Sequence, residues 1–141
     1  MVAAVLLTWS MALGGCGKSK AREALATKLE QRIRTASEAG GTFHLPEVTD
    51  FDWDTLHIFT PYVGADEVRK WLGIEWSGAR DVPESECLLV FVKGDEVVMD
   101  LDFPRVKGDF ADLKKHRLSR NEARFAVPQG GMRLENAVEA L

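Results

Sequence analysis

Residues 86–103 read ECLLVFVKGDEVVMDLDF, a pattern typical of a β-hairpin. Residues 86–92 are almost continuously apolar, as expected of a central strand, and the segment Lys93–Glu96 has the composition of a turn. Apolar and polar residues then alternate until Pro104 ends the strand. This alternation predicts that one set of side chains points inward and the other outward: Val97, Met99, Leu101 and Phe103 inward, and Val98, Asp100 and Asp102 outward.

A helix is predicted over residues 18–38, where leucine and isoleucine recur every four residues. The apolar stripe consists of Leu25, Leu29 and Ile33, extended by an alanine at each end, with charged residues on the other faces. The pair Gly40–Gly41 ends the helix. Because the stripe is narrow, we expect this helix either to lie on the domain or to serve as a partly exposed stalk.

Shorter elements are predicted on both sides of the hairpin. Phe51 and Trp53 have odd numbers whereas Leu56 and Ile58 have even ones, so a regular strand cannot bury both pairs on one face. We therefore expect a bend at Asp54–Thr55, after which the regular strand starts. The remaining predicted elements are strands at residues 42–45 and 124–127, and helices at residues 66–72, from Asp109 and from Leu134 to the C-terminus.

Together these elements predict one globular α+β domain over residues 42–141. We expect a small antiparallel sheet with flanking helices and an N-terminal helical stalk. The chain has 141 residues and a formal net charge of −4. Residues 18–34 contain six basic and two acidic residues, so the rest of the chain is acidic. An acidic domain argues against nucleic acid as a partner.

The chain begins with a short apolar run that ends in Leu13-Gly14-Gly15-Cys16. Residues 2–12 are uncharged but fall short of the ~20 apolar residues that a membrane-spanning helix needs. Their length, and the small residues before the cysteine, fit a secretory signal with its cleavage site. The segment resembles a bacterial lipoprotein signal peptide with its lipobox, which implies lipidation of Cys16. The alternative is a buried N-terminal helix or strand of a cytoplasmic protein.

The resemblance to lipoproteins implies an organisation and a location. Residues 1–15 would be the signal peptide, and residues 16–41 the anchor and stalk, bearing several acyl chains such as palmitate that hold a protein stably on a bilayer. The domain would face the periplasm or the cell exterior. Gly17 stands where inner-membrane retention in enteric bacteria needs an aspartate, so the outer membrane is favoured. The basic segment that usually opens a signal is missing, so either the translation start lies upstream or the signal is a weak one.

A second resemblance lies in residues 51–76. The sequence WDTLHIFTPY, starting at Trp53, is followed by a predicted helix and then LGIEW, ending at Trp76. This is similar to a family of small bacterial proteins, often lipoproteins, that is uncharacterised and implies no activity. We expect Trp53 and Trp71 to belong to the core, where large rings bury much apolar surface. Trp76, in a loop, and Tyr62 are the candidate binding surface, since such side chains are favoured at interfaces.

Acidic residues offer two candidate sites, and for both we expect a structural role. Residues 50–61 begin like a calcium-binding loop, but Thr55 stands where the loop needs glycine and Pro61 where it needs glutamate. Asp100 and Asp102 resemble the paired carboxylates of hydrolases. Two aspartates on one exposed strand face are more typically solubilising.

Cysteine and histidine add no recognisable site. With Cys16 lipidated, Cys87 has no disulfide partner, and its place in an apolar strand predicts a buried, unreactive thiol. The three histidines, His44, His57 and His116, are not spaced as metal ligands. The sequence therefore predicts no catalytic, metal-binding or cofactor-binding residue.

These observations predict a membrane-anchored envelope lipoprotein with a non-catalytic binding or accessory domain. Its expected partners are the bilayer, through acylated Cys16, and an envelope protein. Three alternatives stay open: a purely structural or assembly role, an immunity lipoprotein that inhibits a periplasm-acting toxin, and a small hydrolase that uses Asp or His residues.

Overall fold

The computed structural model describes residues 14–137, and their side chains from Gly17 onward. The fold is α+β, as predicted. Two α-helices, α1 (Gly14–Ala39) and α2 (Ala65–Leu72), and a short 3-10 helix (Leu45–Val48) accompany two antiparallel sheets. The strands are β1 (Thr42–His44), β2 (Thr55–Phe59), β3 (Glu86–Lys93), β4 (Glu96–Pro104), β5 (Arg117–Ser119), β6 (Arg124–Ala126) and β7 (Glu135–Asn136).

The predicted hairpin forms the centre of the larger sheet, whose strand order is β4-β3-β2-β5. Strand β3 is buried on both faces: Cys87, Leu89 and Phe91 belong to one apolar cluster, while Leu88 and Val90 belong to the other. Because both faces of β3 are covered, its sequence is almost continuously apolar and does not alternate between apolar and polar residues. The smaller sheet has the order β1-β6-β7.

A β-bulge in β4 corrects the predicted inward set. Phe91 pairs with Met99, but its neighbour Val92 pairs with Val97, so Val98 is an extra residue in the ladder. The extra residue reverses the side-chain alternation. Val97 therefore packs in the cluster opposite to Met99, rather than beside it as predicted.

Helix α1 packs against the domain from Leu25 to its C-terminal end. Leu25, Leu29 and Ile33 are buried in the same cluster as Leu101 and Phe103 of the sheet. Of the two arrangements considered for this helix, the structure shows the packed one from Leu25 onward. None of the helices in the described part of the chain is long and apolar enough to cross a membrane.

Helix α2 covers the opposite face of the sheet with Val68 and Leu72, and Gly73 ends it in a left-handed conformation (φ 70°). The prediction for Trp53 is confirmed, since its side chain is buried. The prediction for Trp71 is wrong: its side chain is 56% exposed and stacks on Phe59 from outside. Trp71 lies next to Leu72 on α2, at the border of the helix face that packs against the sheet.

Two predicted helices are corrected. Asp109 does not begin a helix but forms a β-bridge with Arg133, and its carboxylate accepts hydrogen bonds from Ala111 N–H and the Arg105 guanidinium. The helix predicted from Leu134 is wrong over residues 134–137, because β7 pairs with β6 there. Residues 138–141 and the signal-like residues 1–13 lie outside the described residues.

Candidate functional site

Tyr62 occupies a backbone position that normally needs glycine. The segment Thr60–Val63 is a tight turn, closed by a hydrogen bond from Val63 N–H to Thr60 O (3.3 Å), with Pro61 second and Tyr62 third. Tyr62 has φ 72°. A proline followed by a positive φ is the pattern of a type II turn, whose third position favours glycine or asparagine. Tyr62 is the only described residue other than glycine with positive φ.

The strained turn is held from both sides by main-chain hydrogen bonds. Tyr62 N–H donates to Val82 O, and Val82 N–H donates to Val63 O, each at 2.9 Å. Val82 and Val63 are buried in the cluster beneath α2. The surrounding structure therefore imposes the backbone conformation of Tyr62, which is the condition for such strain to persist.

The side chain of Tyr62 faces solvent, with 74% of its surface exposed. Partial loss of hydration and the neighbouring Glu84 carboxylate raise the pKa of its phenol. Beside Glu84 lies a shallow groove, which is also bordered by Val106, 83% exposed. We call this area the Tyr62 surface; it comprises Tyr62, Pro83, Glu84, Ser85, Arg105 and Val106.

Arg105 makes the Tyr62 surface rigid. Its main-chain N–H donates to Ser85 O (2.9 Å), and its guanidinium donates to Glu84 O (3.0 Å) and to both carboxylate oxygens of Asp109 (3.0 and 3.1 Å). Burial alone would raise the pKa of Asp109, but the hydrogen bonds from Arg105 and from Ala111 N–H lower it. Asp109 therefore stays ionised and holds the guanidinium in place.

Trp76 lies in a different place from Tyr62, so the structure does not join the two predicted binding residues into one surface. Trp76, a candidate binding residue because of its place in a loop, is half-buried and less exposed than Trp71. Its ring packs so closely on Gly78 that a Cβ there would come within 2.5 Å. The guanidinium of Arg80 lies 5.7 Å from the ring centroid.

Asp100 corrects a further prediction. It was expected to point into solvent, but only 8% of its surface is exposed, because Arg22 of α1 and Arg80 cover it. The carboxylate is 2.8 Å from Arg22 Nη2 and 2.9 Å from Arg80 Nη2, and Asp102 is also paired with Arg80 at 2.9 Å. Both carboxylates are therefore paired with arginine, and Asp100 is covered by these side chains.

Cys87 and His57 are both buried. Burial, followed by the charge of Asp109, raises the pKa of the Cys87 thiol to about 11, so the thiolate nucleophile is not formed at neutral pH. His57 stacks on Phe59, with ring centroids 6.2 Å apart. Burial, followed by the charge of Arg117, lowers the pKa of His57, which favours the neutral ring.

His44, Asp52 and Asp54 contact other parts of the fold, whereas the buried Nε2 of His116 has no hydrogen-bond partner. Nε2 of His44 lies 2.9 Å from Arg120 O. Asp52 pairs with Lys93, and Asp54 accepts a hydrogen bond from Gly94 N–H (2.8 Å), so both aspartates tie the segment before β2 to the hairpin turn. Within residues 14–137 no group of three His, Cys, Asp or Glu side chains could hold a metal ion.

Comparison with protein-family models, curated proteins and solved structures finds no match to this chain. The site therefore has to be argued from its own geometry. Sequence reasoning found Tyr62 but missed Arg105 and Val106, which complete its surface. The available signal was Pro104, which ends β4 and leaves an apolar residue, Val106, in the following turn.

Proposed function

We propose that this chain is a bacterial envelope lipoprotein, acylated at Cys16, whose domain binds an envelope protein without catalysis through the Tyr62 surface. The observation that carries the binding role is the exposed ring of Tyr62 at a position where glycine would fit without strain. The lipid attachment is supported by the lipobox-like sequence before Cys16.

Backbone strain in a folded protein is typical of functional sites, and the inference runs from the observed outlier to the role. The Tyr62 ring is mostly exposed, so its burial does not offset the energetic cost of the strained backbone. The exposed Tyr62 ring lies near Glu84 and Arg105, which line a groove together with exposed Val106. Apolar and aromatic groups with polar neighbours have the composition of an interface core with a polar rim. The rigid frame means that little ordering is needed on binding.

The chemistry of the buried groups favours binding over hydrolysis. The thiol of Cys87 is protonated and inaccessible, and the Asp100–Asp102 pair is neutralised by Arg22 and Arg80. Each of these groups already has a role in packing or in an ion pair. The hydrolase alternative would need such a group to become free and solvent-accessible.

Lipid attachment is tested by Cys16→Ser. We expect incorporation of a fatty-acid analogue by the wild-type protein and none by the variant, which should also be released from the membrane fraction. Cys87→Ser is the matched control, because it removes the other cysteine and should leave labelling unchanged. Equal labelling of wild type and Cys16→Ser would refute acylation at this residue.

Binding is tested by Tyr62→Gly. Glycine relieves the positive φ, so the variant should melt at the same or a higher temperature than wild type while losing its partner. The partner would be captured from detergent-solubilised envelope with the acylated protein, identified by mass spectrometry, and its Kd then measured with purified proteins.

Two further variants test whether the loss of affinity is specific to the Tyr62 surface. Val106→Asp places a charge on the same surface and should also weaken binding. Trp71→Ala removes an exposed aromatic ring elsewhere and should leave binding intact. Unchanged affinity of Tyr62→Gly would show that the Tyr62 surface is not the binding site.

A further inference from the structure

Strand β4 runs alongside α1 and in the same direction. Near the start of the helix, Arg22 pairs with Asp100. Eight residues further along the helix, Glu30 pairs with Lys107 (3.4 Å), and beyond it Ile33 lies where a Cβ on Gly108 would come within 2.5 Å. Residues later in β4, and in the turn that follows it, therefore lie nearer to the C-terminal end of α1.

This alignment assigns positions along α1 to Val98, near the start of β4, and to Val106, two residues after its end. Val98 lines the same groove as Gly17, Lys18 and Ala21, within two turns of Cys16. Val106 adjoins Lys107, which reaches Glu30. Lys18 and Glu30 are twelve residues apart on α1, which at a rise of 1.5 Å per residue separates the levels of the two valines by ~18 Å along the helix axis. Helix α1 includes position 16 and is continuous to Ala39, so the helix fixes where Cys16 lies relative to the domain.

The end of the domain nearest to Cys16 combines basic and apolar side chains. Lys18 and Lys20 are exposed at the start of α1. Val98 is 37% exposed on β4, an edge strand of its sheet, and half-buried Trp76 lines the groove between them. Lys18, Trp76 and Val98 line one groove, whereas Lys20 lies on the other side of α1 at the same level. We call these four residues, at the end of the domain nearest to Cys16, the anchor-proximal face.

The buried carboxylate beside this face, that of Asp100, is already paired. Asp100 accepts hydrogen bonds from Arg22 and Arg80, which leaves the ammonium groups of Lys18 and Lys20 for an outside partner. Lysines beside an anionic bilayer gain electrostatic free energy that falls off within a Debye length. Tryptophan is enriched at the membrane–water interface, because its ring is apolar and its N–H is polar.

We propose that the anchor-proximal face rests on an anionic lipid bilayer, with Lys18 and Lys20 at the headgroups and Trp76 and Val98 at the interface. The proposal depends on the proposed acylation of Cys16, which brings this end of α1 to the membrane. It gives the lipid a second role, as a surface that orients the domain. The Tyr62 surface, at the other end of β4, is then held away from the bilayer.

The test uses the full acylated protein in vesicles of phosphatidylethanolamine and phosphatidylglycerol that contain a headgroup-linked nitroxide quencher. A fluorophore is attached to Val98→Cys or, as the matched control, to Val106→Cys. Buried Cys87 is shielded from the labelling reagent. We expect several-fold stronger quenching at position 98 than at position 106. Equal quenching at both positions would overturn the proposal.

Charge variants test how the face is held. Lys18→Gln combined with Lys20→Gln should reduce quenching at position 98, as should replacing phosphatidylglycerol by a neutral lipid, whereas Lys107→Gln should not. No effect of the double variant would overturn the role of the two lysines. The mass of the N-terminal peptide shows separately whether Cys16 is acylated, so a failure of lipid attachment is distinguished from a failure of orientation.

Discussion

Replacing Trp53 by alanine provides the sharpest test of how the core is built. Its side chain is 1% exposed, and its Nε1–H donates to Thr49 Oγ1 at 3.0 Å. The ring meets Phe91 edge-on, with centroids 5.2 Å apart, and the Arg120 guanidinium lies 5.1 Å from its centroid. Trp53 therefore joins the segment before β2 to the central strand β3.

The expected magnitude follows from the surface that this ring removes from water. A buried tryptophan covers roughly 200 Å², which at about 25 cal/mol/Å² corresponds to roughly 5 kcal/mol. Partial collapse of the cavity places the loss for Trp53→Ala at about 3–5 kcal/mol. That is a large fraction of the total stability of an ordinary domain. Trp53→Phe keeps the contact with Phe91 and should lose about 1–2 kcal/mol, because the hydrogen bond to Thr49 is removed.

The matched control is Trp71→Ala, which removes the same side chain from an exposed position. Its main contact is the stacking on Phe59 at 6.3 Å, so a loss of about 1 kcal/mol or less is expected. Urea unfolding should be followed by circular dichroism, because the substitutions change the fluorescence. An unchanged m value would show that only stability differs. If Trp71→Ala destabilises the protein as much as Trp53→Ala, the assignment of core and surface is wrong.

Two further predictions concern titratable groups in the core. Because the pKa of Cys87 is raised to about 11 in the folded protein, the thiol of the unfolded chain loses its proton at a lower pH, and the free energy of unfolding should fall as the pH rises above ~9. A thiol reagent should label the native protein far more slowly than the urea-unfolded one. Equal labelling rates would contradict burial. Because the pKa of His57 is lowered by burial, the unfolded chain binds more protons below pH ~6.5, so the urea midpoint should fall between pH 7 and pH 5. His57→Gln should flatten that dependence, and an unaltered slope would assign it to other groups.

Of the six residues of the Tyr62 surface, only Tyr62 was predicted from the sequence. Tyr62 was identified from its residue type, but its positive φ depends on hydrogen bonds with Val82, twenty residues away. The contribution of Arg105 depends on Glu84, Ser85 and Asp109, which the hairpin and the following turn bring together. Trp76 was wrongly expected to be exposed because no local pattern indicates that Gly78 and Arg80 pack on its ring.

The sequence by itself determined the elements whose signals are local. The hairpin, α1, and the end of α2 at Gly73 follow from side-chain periodicity and turn residues, which act over a few positions. Only the tertiary structure decided which faces are covered. Asp100 has the sequence context of a solvent-facing strand residue, but Arg22, 78 residues away, and Arg80 cover it. Periodicity shows which side chains share a face, whereas burial depends on what the rest of the chain places against that face.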